Sequence, residues 1–265
     1  MPTVKVKDAE LYYEEHGRGE PLVLVPGFGT GLWIWYRQVP DFAERFRTIV
    51  FDPRGVARSQ APDAPFTMRD LAEDLAALLE ELKVERAHVL GASFGGFVAQ
   101  EFALAHPARA RSLVLCCTSY GGAGHVPPSP ETLAAIASTK GLNTEERVRE
   151  NWGLAFSQRF AAEHPEEVER VISLRAESFV PEHAYTRQLQ AAVAFDAAAR
   201  VGAIEAPTLV ITGDADAIVP HENSSNLAAA IPGATLRVVE GGSHAFFIEQ
   251  AAAFNRTVVE FIKQL

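Results

Sequence analysis

Two kinds of hydrophobic pattern alternate along the chain. Short, almost continuously apolar runs are typical of strands that helices cover on both faces. Between these runs, apolar residues recur three and four positions apart, most clearly at residues 68–82, where Thr67 is a suitable N-cap. This alternation predicts an α/β fold with a mostly parallel, doubly wound sheet. The predicted strands are residues 22–25, 48–51, 88–90, 113–116, 209–212 and 236–239.

The start of the chain has a different pattern. Residues 3–7 and 11–15 alternate polar and apolar positions on either side of Asp8. Strict alternation indicates a strand with one buried face, and a short turn between two such strands indicates a hairpin. We therefore predict an antiparallel hairpin at the edge of the sheet.

The alternation of strands and helices stops at residues 121–201. This stretch is rich in Ala, Glu and Arg and contains only helical patterns. It is much longer than a single crossover requires. We predict a helical cap at 121–201, inserted into a core of residues 1–120 and 202–265; ordinary crossover helices are the alternative. The predicted cap helices are residues 131–138, 144–156, 165–178 and 183–199.

Charge and hydrophobicity restrict the partners of the protein. Its 265 residues carry a formal net charge of -10, which disfavours binding to nucleic acid or to an anionic membrane surface. No apolar run is long enough to cross a bilayer, and the first residues lack the apolar segment of a signal peptide. We expect a cytoplasmic protein without nucleic-acid or membrane partners. The sequence does not indicate an oligomeric state.

The two cysteines of the chain, Cys116 and Cys117, are adjacent in an apolar run. Neighbouring side chains on a strand point to opposite faces, so the two thiols are badly placed to form a disulfide with each other. We interpret both as small buried hydrophobic residues in a reducing compartment.

Residues 91–95 carry the most specific chemical signal. They read Gly-Ala-Ser-Phe-Gly, follow a predicted strand and precede a helical pattern that starts near Gly96. Gly-x-Ser-x-Gly between a strand and a helix is typical of a nucleophile elbow, a sharp turn that exposes the serine hydroxyl above the sheet edge. Side chains at Gly91 and Gly95 would collide with nearby backbone. Ser93 is therefore the predicted nucleophile.

A serine nucleophile needs a base, and the base needs an acid that orients it. In elbow proteins the acid and then the histidine follow the serine along the chain. The loop after the strand at 209–212 offers Asp214 and Asp216. Asp214 directly follows Gly213 and suits a turn cap, so we predict that Asp216 is the acid. His244 is the predicted base, because among the eight histidines it alone lies on a glycine-rich loop after the last strand.

The oxygen that becomes negative when a carbonyl is attacked needs backbone N–H donors. One predicted donor is Phe94, the residue after the nucleophile. The other is Phe28, in the loop of residues 26–31, which reads Pro-Gly-Phe-Gly-Thr-Gly and is here called the oxyanion loop. The glycines of this loop allow the backbone to approach a substrate closely.

Glycines and aromatic residues in and near the oxyanion loop predict an apolar acyl pocket. We expect Gly27, Gly29 and Trp33 to contact substrate. Trp35 is expected to pack beneath the loop instead.

Together these motifs resemble the α/β-hydrolase superfamily, and the resemblance covers nearly the whole chain. It implies that Ser93, Asp216 and His244 are nucleophile, acid and base. Further motifs that carry it are Asp52-Pro-Arg-Gly-Val-Ala-Arg-Ser59, Gly213-x-x-Asp216 with Pro220, and Gly242-Ser243-His244 followed by Glu249.

Two positions depart from the pattern of that superfamily. Pro26 stands where a histidine usually precedes the glycine of the oxyanion loop, and Ala57 stands where glycine is common. Neither change removes a backbone donor, so neither predicts inactivity. Pro26 does remove an imidazole that often braces the loop. Arg54 is expected to tie loops together.

Within the superfamily, the single predicted cap and residues 4–15 resemble the carboxylesterase and 3-oxoadipate enol-lactonase group. Haloalkane dehalogenases and epoxide hydrolases are disfavoured, because they carry an aspartate where Ser93 stands. The resemblance implies a serine hydrolase that cleaves a carboxylic ester or lactone through an acyl-enzyme. A cofactor-free perhydrolase or haloperoxidase and a C–C bond hydrolase share this triad and remain alternatives. A non-catalytic small-molecule receptor on the same fold is the alternative from another class.

Neither a metal nor a cofactor is predicted. The sequence has no paired-histidine motif with metal-ligand spacing and no glycine-rich phosphate loop with a lysine. The expected partner is a small ester or lactone whose identity the sequence does not define.

Overall fold

Eight strands form one sheet in the structure, a computed structural model that describes residues 2–138 and 144–265. The order across the sheet is β1-β2-β4-β3-β5-β6-β7-β8. The pairs β1–β2 and β2–β4 are antiparallel, and the other pairs are parallel, which confirms the predicted fold class and the edge hairpin. The strands are β1 Thr3–Val6, β2 Ala9–His16, β3 Glu20–Val25, β4 Phe46–Phe51, β5 Ala87–Ala92, β6 Ala110–Cys116, β7 Thr208–Gly213 and β8 Thr235–Val239.

Helices occupy most of the connections between these strands. The predicted helix at residues 68–82 is α2, whose N-cap Thr67 forms a reciprocal capping box with Asp70. In the described part of the chain, no helix combines the length and hydrophobicity that crossing a bilayer requires. The α-helices of the described residues are α1 Val39–Ala43, α2 Met68–Glu81, α3 Phe94–Ala105, α4 Pro130–Ser138, α5 Thr144–Ala155, α6 Gln158–Glu163, α7 Pro165–Glu177, α8 Glu182–Ala194, α9 His221–Ala230, α10 Phe246–Glu249 and α11 Ala251–Ile262.

The central strands are buried on both faces, which explains their continuous apolar runs. In β3, Val23 and Val25 belong to one hydrophobic cluster, while Leu22 and Leu24 belong to a second. Because successive side chains of a strand point to opposite faces, the two clusters lie on the two sides of the sheet. The sheet is thereby fixed between two helical layers, and its carboxyl edge is a rigid support for loops.

Helices α4 to α8 all lie between β6 and β7, and we call them the inserted helices. The predicted helix at 183–199 is too long: α8 ends at Ala194, because Asp196 forms an antiparallel bridge with Gly121 and its carboxylate accepts the N–H of Ala198. The short helix α6 was not predicted. The interpretation of residues 121–201 as a cap domain stays a prediction, and its residues 139–143 lie outside the described residues.

Candidate active site

The three predicted triad residues follow three parallel strands. Ser93 comes directly after β5, Asp216 follows β7, and His244 follows β8. The carboxyl ends of parallel strands meet at one edge of the sheet, where sites of this fold class form. Ser93 and His244 line the same cavity, with a volume of about 60 Å³. The carboxylate of Asp216 contacts the Nδ1 atom of the His244 ring.

Ser93 lies in a strained turn between β5 and α3. Its φ is 53° and its ψ is -119°, a conformation that L-residues rarely adopt. A Cβ on Gly91 would collide with the carbonyl of Gly95, and a Cβ on Gly95 would collide with the carbonyl of Val25. Three hydrogen bonds hold the turn: the Ser93 N–H donates to the Cys116 carbonyl at 2.8 Å, and the Ser93 carbonyl accepts the Thr118 hydroxyl at 2.8 Å and the Gly96 N–H at 2.9 Å.

A buried carboxylate orients the imidazole of His244. The Nδ1 atom of His244 lies 2.8 Å from Oδ2 of Asp216, whose side chain is fully buried. The other oxygen of Asp216 accepts the backbone N–H groups of Ile218 and Val219, at 2.9 and 2.8 Å. The carboxylate is therefore fixed from both sides, and Nε2 is the ring nitrogen left for a substrate or for Ser93.

The second candidate acid, Asp214, has a different environment. It is exposed, and its Oδ1 accepts the N–H of Gly241 at 2.7 Å. It thus joins the loop after β7 to the loop after β8, and among the described residues it forms no hydrogen bond with His244. In the structure, Asp216 and not Asp214 is the partner of the histidine.

The electrostatic environment of His244 favours its protonated form. Burial alone would lower the pKa of the imidazole, but the charge of the Asp216 carboxylate and its hydrogen bond to the ring, with a smaller contribution from Cys117 when its sulfur is ionised, outweigh burial and raise the pKa to about 9 from 6.5. A protonated imidazole cannot accept a proton from Ser93. Deprotonation of His244 is therefore a condition for any role as a base.

Cys117 is a neighbour of the pair that the sequence did not indicate. Its thiol, a ring nitrogen of His244 and a carboxylate oxygen of Asp216 lie within 4.8 Å of one another. Burial raises the pKa of Cys117 well above its ordinary value, so the neutral thiol is favoured. Asp216 and His244 already bond each other, and a neutral thiol is a poor ligand, so this set of donors does not favour a metal ion. Both cysteines are free, with their sulfur atoms 3.7 Å apart.

Two backbone N–H groups are candidates for an oxyanion hole: that of Phe28, a residue of the cavity lining, and that of Phe94, the residue after Ser93. The carbonyl of Gly27 accepts both the N–H and the hydroxyl of Thr30, at 3.2 and 2.9 Å. Because a trans peptide directs its N–H opposite to its carbonyl, the N–H of Phe28 points away from Thr30. The N–H of Phe94 belongs to the first residue of α3 and has no acceptor within the helix. Among the described residues, neither N–H has a hydrogen-bond acceptor.

The wall of the cavity is mainly apolar. Trp152 of α5 and Phe247 of α10 were not predicted from the sequence, whereas Phe28 and Gly27 were. Gly29 and Trp33, also expected to contact substrate, lie outside this lining. The signal that could have revealed Trp152 is a large aromatic residue in a helix whose other residues are mostly polar. The described lining residues are Gly27, Phe28, Thr30, Ile34, Ala92, Ser93, Trp152, His244, Ala245 and Phe247.

Trp33 and Trp35 have different surroundings. The Trp33 ring packs against the Trp152 ring, with centroids 5.8 Å apart, and lines a separate hollow next to Arg58 and Phe179. Trp35 is fully buried and packs against Phe247. The expected packing role of Trp35 agrees with this position.

Buried charges hold the loops around the site. Arg54 is 5% exposed and forms two hydrogen bonds of 2.6 Å with Asp74 of α2, and a third with Asp8 of the edge hairpin. It therefore ties three segments together, as expected. Asp52 accepts the N–H of Leu32 at 2.8 Å and thereby anchors the end of the oxyanion loop.

This fold and site define a class of protein. A mostly parallel sheet that carries a serine on a strained strand-to-helix turn, beside a histidine–aspartate pair, is the arrangement of the α/β-hydrolases. A family model described as alpha/beta hydrolase fold matches residues 20–145, and a model described as TAP-like protein matches residues 184–265. The chain is 32% identical to a protein of Azorhizobium caulinodans that bears the name carbamate hydrolase RutD, over 100% of this chain and 99% of that protein. The chain belongs to the α/β-hydrolase superfamily, as predicted.

Solved structures agree with this membership. The enol-lactonase from Burkholderia xenovorans is 28% identical, with a TM-score of 0.88 over 99% of this chain and 100% of that chain. A thermophilic esterase from Thermogutta terrifontis is also 28% identical, with a TM-score of 0.85 over 100% of this chain and 99% of that chain. These proteins are similar to this chain over its whole length, so the inserted helices are included in the likeness.

Proposed function

We propose that the protein is a serine hydrolase that cleaves a carboxylic ester or lactone through an acyl-enzyme. Ser93 is the nucleophile, His244 the base and Asp216 the acid that orients the base. The N–H groups of Phe28 and Phe94 form the oxyanion hole. The observation that carries this proposal is the 2.8 Å contact between His244 and a buried Asp216 at the cavity that Ser93 lines.

In the first half of the reaction, Nε2 of His244 takes the proton of the Ser93 hydroxyl as its oxygen bonds to the substrate carbonyl carbon. The carbonyl oxygen becomes negative and accepts the N–H groups of Phe28 and Phe94. When the tetrahedral intermediate collapses, the bond to the alkoxide breaks and His244 gives its proton to that leaving group. Ser93 is then acylated. Asp216 stabilises the imidazolium throughout but does not take up the proton.

In the second half, water replaces the alcohol. His244 removes a proton from a water molecule while the water oxygen attacks the acyl carbon. The same two N–H groups hold the negative oxygen. Collapse of this intermediate returns the proton to Ser93 and releases the carboxylic acid, so no other reactant is consumed.

The cavity supports a neutral, apolar group next to the scissile carbonyl. Apart from the proposed base, no described residue of the lining carries an ionisable side chain, and its large members are Phe28, Trp152 and Phe247. A charged group placed here would lose its hydration without gaining a partner. The names of the enol-lactonase and esterase neighbours favour esters and lactones. The name of the full-length relative favours a carbamate, whose carbonyl the same residues could attack, as a second candidate.

Replacement of the nucleophile tests the proposal. Ser93→Ala should reduce hydrolysis of a short p-nitrophenyl ester by at least about 10³-fold, since the nucleophile of the acyl-enzyme is removed. It should also abolish covalent labelling by a fluorophosphonate. Ser129→Ala, the same change at an exposed serine, should leave both unchanged. Turnover by Ser93→Ala near that of the wild type would show that the assignment of Ser93 as the nucleophile is wrong.

A substrate panel separates the remaining alternatives. It consists of esters graded by acyl length, a lactone, an enol-lactone, a carbamate, a C–C bond hydrolase substrate, and a short acid with peroxide. Hydrolysis of esters or lactones with the highest kcat/KM supports the proposal, whereas a carbamate maximum supports the second candidate. A protein that binds these molecules but is neither labelled at Ser93 nor active would be a receptor.

A further inference from the structure

The oxyanion loop receives one of its supports from the inserted helices. Within the loop, the Gly27 carbonyl is held by Thr30, and the end of the loop is held by Asp52. The middle of the loop is held by Gln188 of α8, whose Oε1 accepts the N–H of Gly29 at 2.8 Å. Pro26, at the start of the loop, has neither an N–H nor a polar side chain with which to brace it.

The cost of burying Gln188 indicates what its amide does. The residue is 0% exposed, and within the described part of the chain its Nε2 has no hydrogen-bond partner. A buried donor without a partner destabilises the folded state, and an apolar side chain of the same length would avoid this cost. An apolar side chain, however, could not accept the hydrogen bond from the Gly29 N–H. The hydrogen bond to Gly29 is thus the only polar contact that this buried amide makes among the described residues.

The same face of α8 also contacts the aromatic ring of the oxyanion loop. Tyr185 lies one turn before Gln188, and its ring meets the Phe28 ring edge-on, with centroids 4.5 Å apart. A Cβ on Gly29 would come within 3.3 Å of the Tyr185 ring, so the loop backbone lies close against the helix. Residues 28 and 29 are therefore held by α8 through both a side chain and a backbone N–H.

We infer that Gln188 is a positioning residue for the oxyanion hole: it holds the Gly29 peptide so that the preceding N–H, that of Phe28, is directed at the developing oxyanion. This inference rests on the proposed function. Gly29 has a φ of +62°, and this glycine could adopt many other conformations without the hydrogen bond. The position of α8 on the core and the geometry of the oxyanion hole then depend on each other through the Gln188 amide.

The test replaces the amide by an apolar side chain of similar length. Gln188→Met should lower kcat for a short p-nitrophenyl ester by about 10- to 100-fold, with little change in KM, because a displaced donor weakens the transition state more than the bound substrate. Gln190→Met is the matched control, since Gln190 lies on the same helix but is exposed. It should keep kcat within about twofold of the wild type.

Two further measurements make the result decisive. Gln188→Glu keeps an oxygen acceptor for the Gly29 N–H and should recover part of the rate that Gln188→Met loses. Thermal unfolding of each variant shows that the fold is retained. A kcat for folded Gln188→Met within about twofold of the wild type, or a loss confined to KM, would overturn the inference. The proposed function itself would fail if Ser93→Ala kept its activity and if a fluorophosphonate did not label Ser93 of the wild type. Failure of the inference and failure of the proposed function are therefore distinguishable.

Discussion

The carboxyl edge of the sheet and the inserted helices contribute to the candidate site in different ways. The edge supplies Ser93, Asp216 and His244 on short loops, each after its own strand. The inserted helices supply single side chains from different helices, Trp152 from α5 and Gln188 from α8. The edge therefore holds the groups proposed to react. The inserted helices shape and brace the space in which they would act.

The two regions are nevertheless physically joined around the histidine. The N–H of Ala245 donates to the carbonyl of Ala155 in α5, at 2.9 Å. Glu249 accepts the N–H of Ser157, which caps α6, and the hydroxyl of Ser243 on the His244 loop. A change in the inserted helices can thus reach the edge through these contacts. The comparison predicts large effects on chemistry from changes at the edge, and smaller effects on binding or positioning from changes in the inserted helices.

The largest effect is expected from the two acids of the β7 loop. Asp216→Asn should lower kcat by about 10³- to 10⁴-fold, since the imidazole loses the carboxylate that fixes its tautomer and stabilises its charge. Asp214→Asn should cost no more than severalfold, because Asp214 is exposed and its replacement keeps an oxygen for the Gly241 N–H. Steady-state kinetics of the two variants measure this. Equal losses, or a larger loss for Asp214→Asn, would reverse the assignment of the acid.

Local sequence was sufficient to predict the residues of the edge. Each one lies a few positions after an apolar run, and the strands bring those positions to one edge whatever the details of the packing. Asp216 could be separated from Asp214 because a residue next to a glycine turn suits a cap. The contact of Gln188 with Gly29 joins residues 159 positions apart. It depends on how α8 is placed over the loop, and no local pattern contains that information.

A smaller effect is expected where the inserted helices meet the cavity. Trp152→Ala should lower kcat/KM for a short ester by about 10-fold, mainly through KM, because an apolar wall of the pocket is lost. Longer acyl chains should be affected less, since they can fill the vacated space. The measurement is kcat/KM across a series of acyl lengths.

Trp33→Ala is the matched control for this change. Trp33 packs against Trp152 but lies outside the described cavity lining, although its sequence position predicts a contact with substrate. Its truncation should leave the acyl-length preference unchanged. If Trp33→Ala altered that preference and Trp152→Ala did not, the sequence-based expectation would be right and the division between the regions would be drawn in the wrong place.

The sequence does not predict the contact of Gln188 or the end of α8, and the two failures have related causes. Ala184, Gln188 and Ala191 form the buried side of α8. A glutamine inside such an apolar row is a signal of a specific buried contact, but its partner cannot be read from the helix itself. The end of α8 at Ala194 likewise depends on pairing with distant Gly121. Periodicity predicts which face is buried, whereas the tertiary contact determines what that face touches.

The last prediction concerns the pH dependence of acylation by the residues at the sheet edge. The carboxylate of Asp216, together with any negative charge on Cys117, outweighs burial and raises the pKa of His244 to about 9 from 6.5. Only the neutral imidazole can act as a base. The rate of acylation should therefore rise with pH, with a midpoint well above 6.5 and toward 9. Pre-steady-state bursts between about pH 5 and pH 10 measure this midpoint, with the Ser93→Ala rate subtracted to remove alkaline hydrolysis.

Two variants separate the possible sources of that shift. Asp216→Asn removes the charge, so the midpoint of its residual activity should fall, because burial then acts on the imidazole without opposition. Cys117→Ser should leave the midpoint unchanged, since burial raises the pKa of the Cys117 thiol and keeps it uncharged. A midpoint that fell in Cys117→Ser would mean that a thiolate stabilises the imidazolium. The edge would then contain a second anion beside His244, and the smallest side chain of the cluster would take part in setting the protonation of the proposed base.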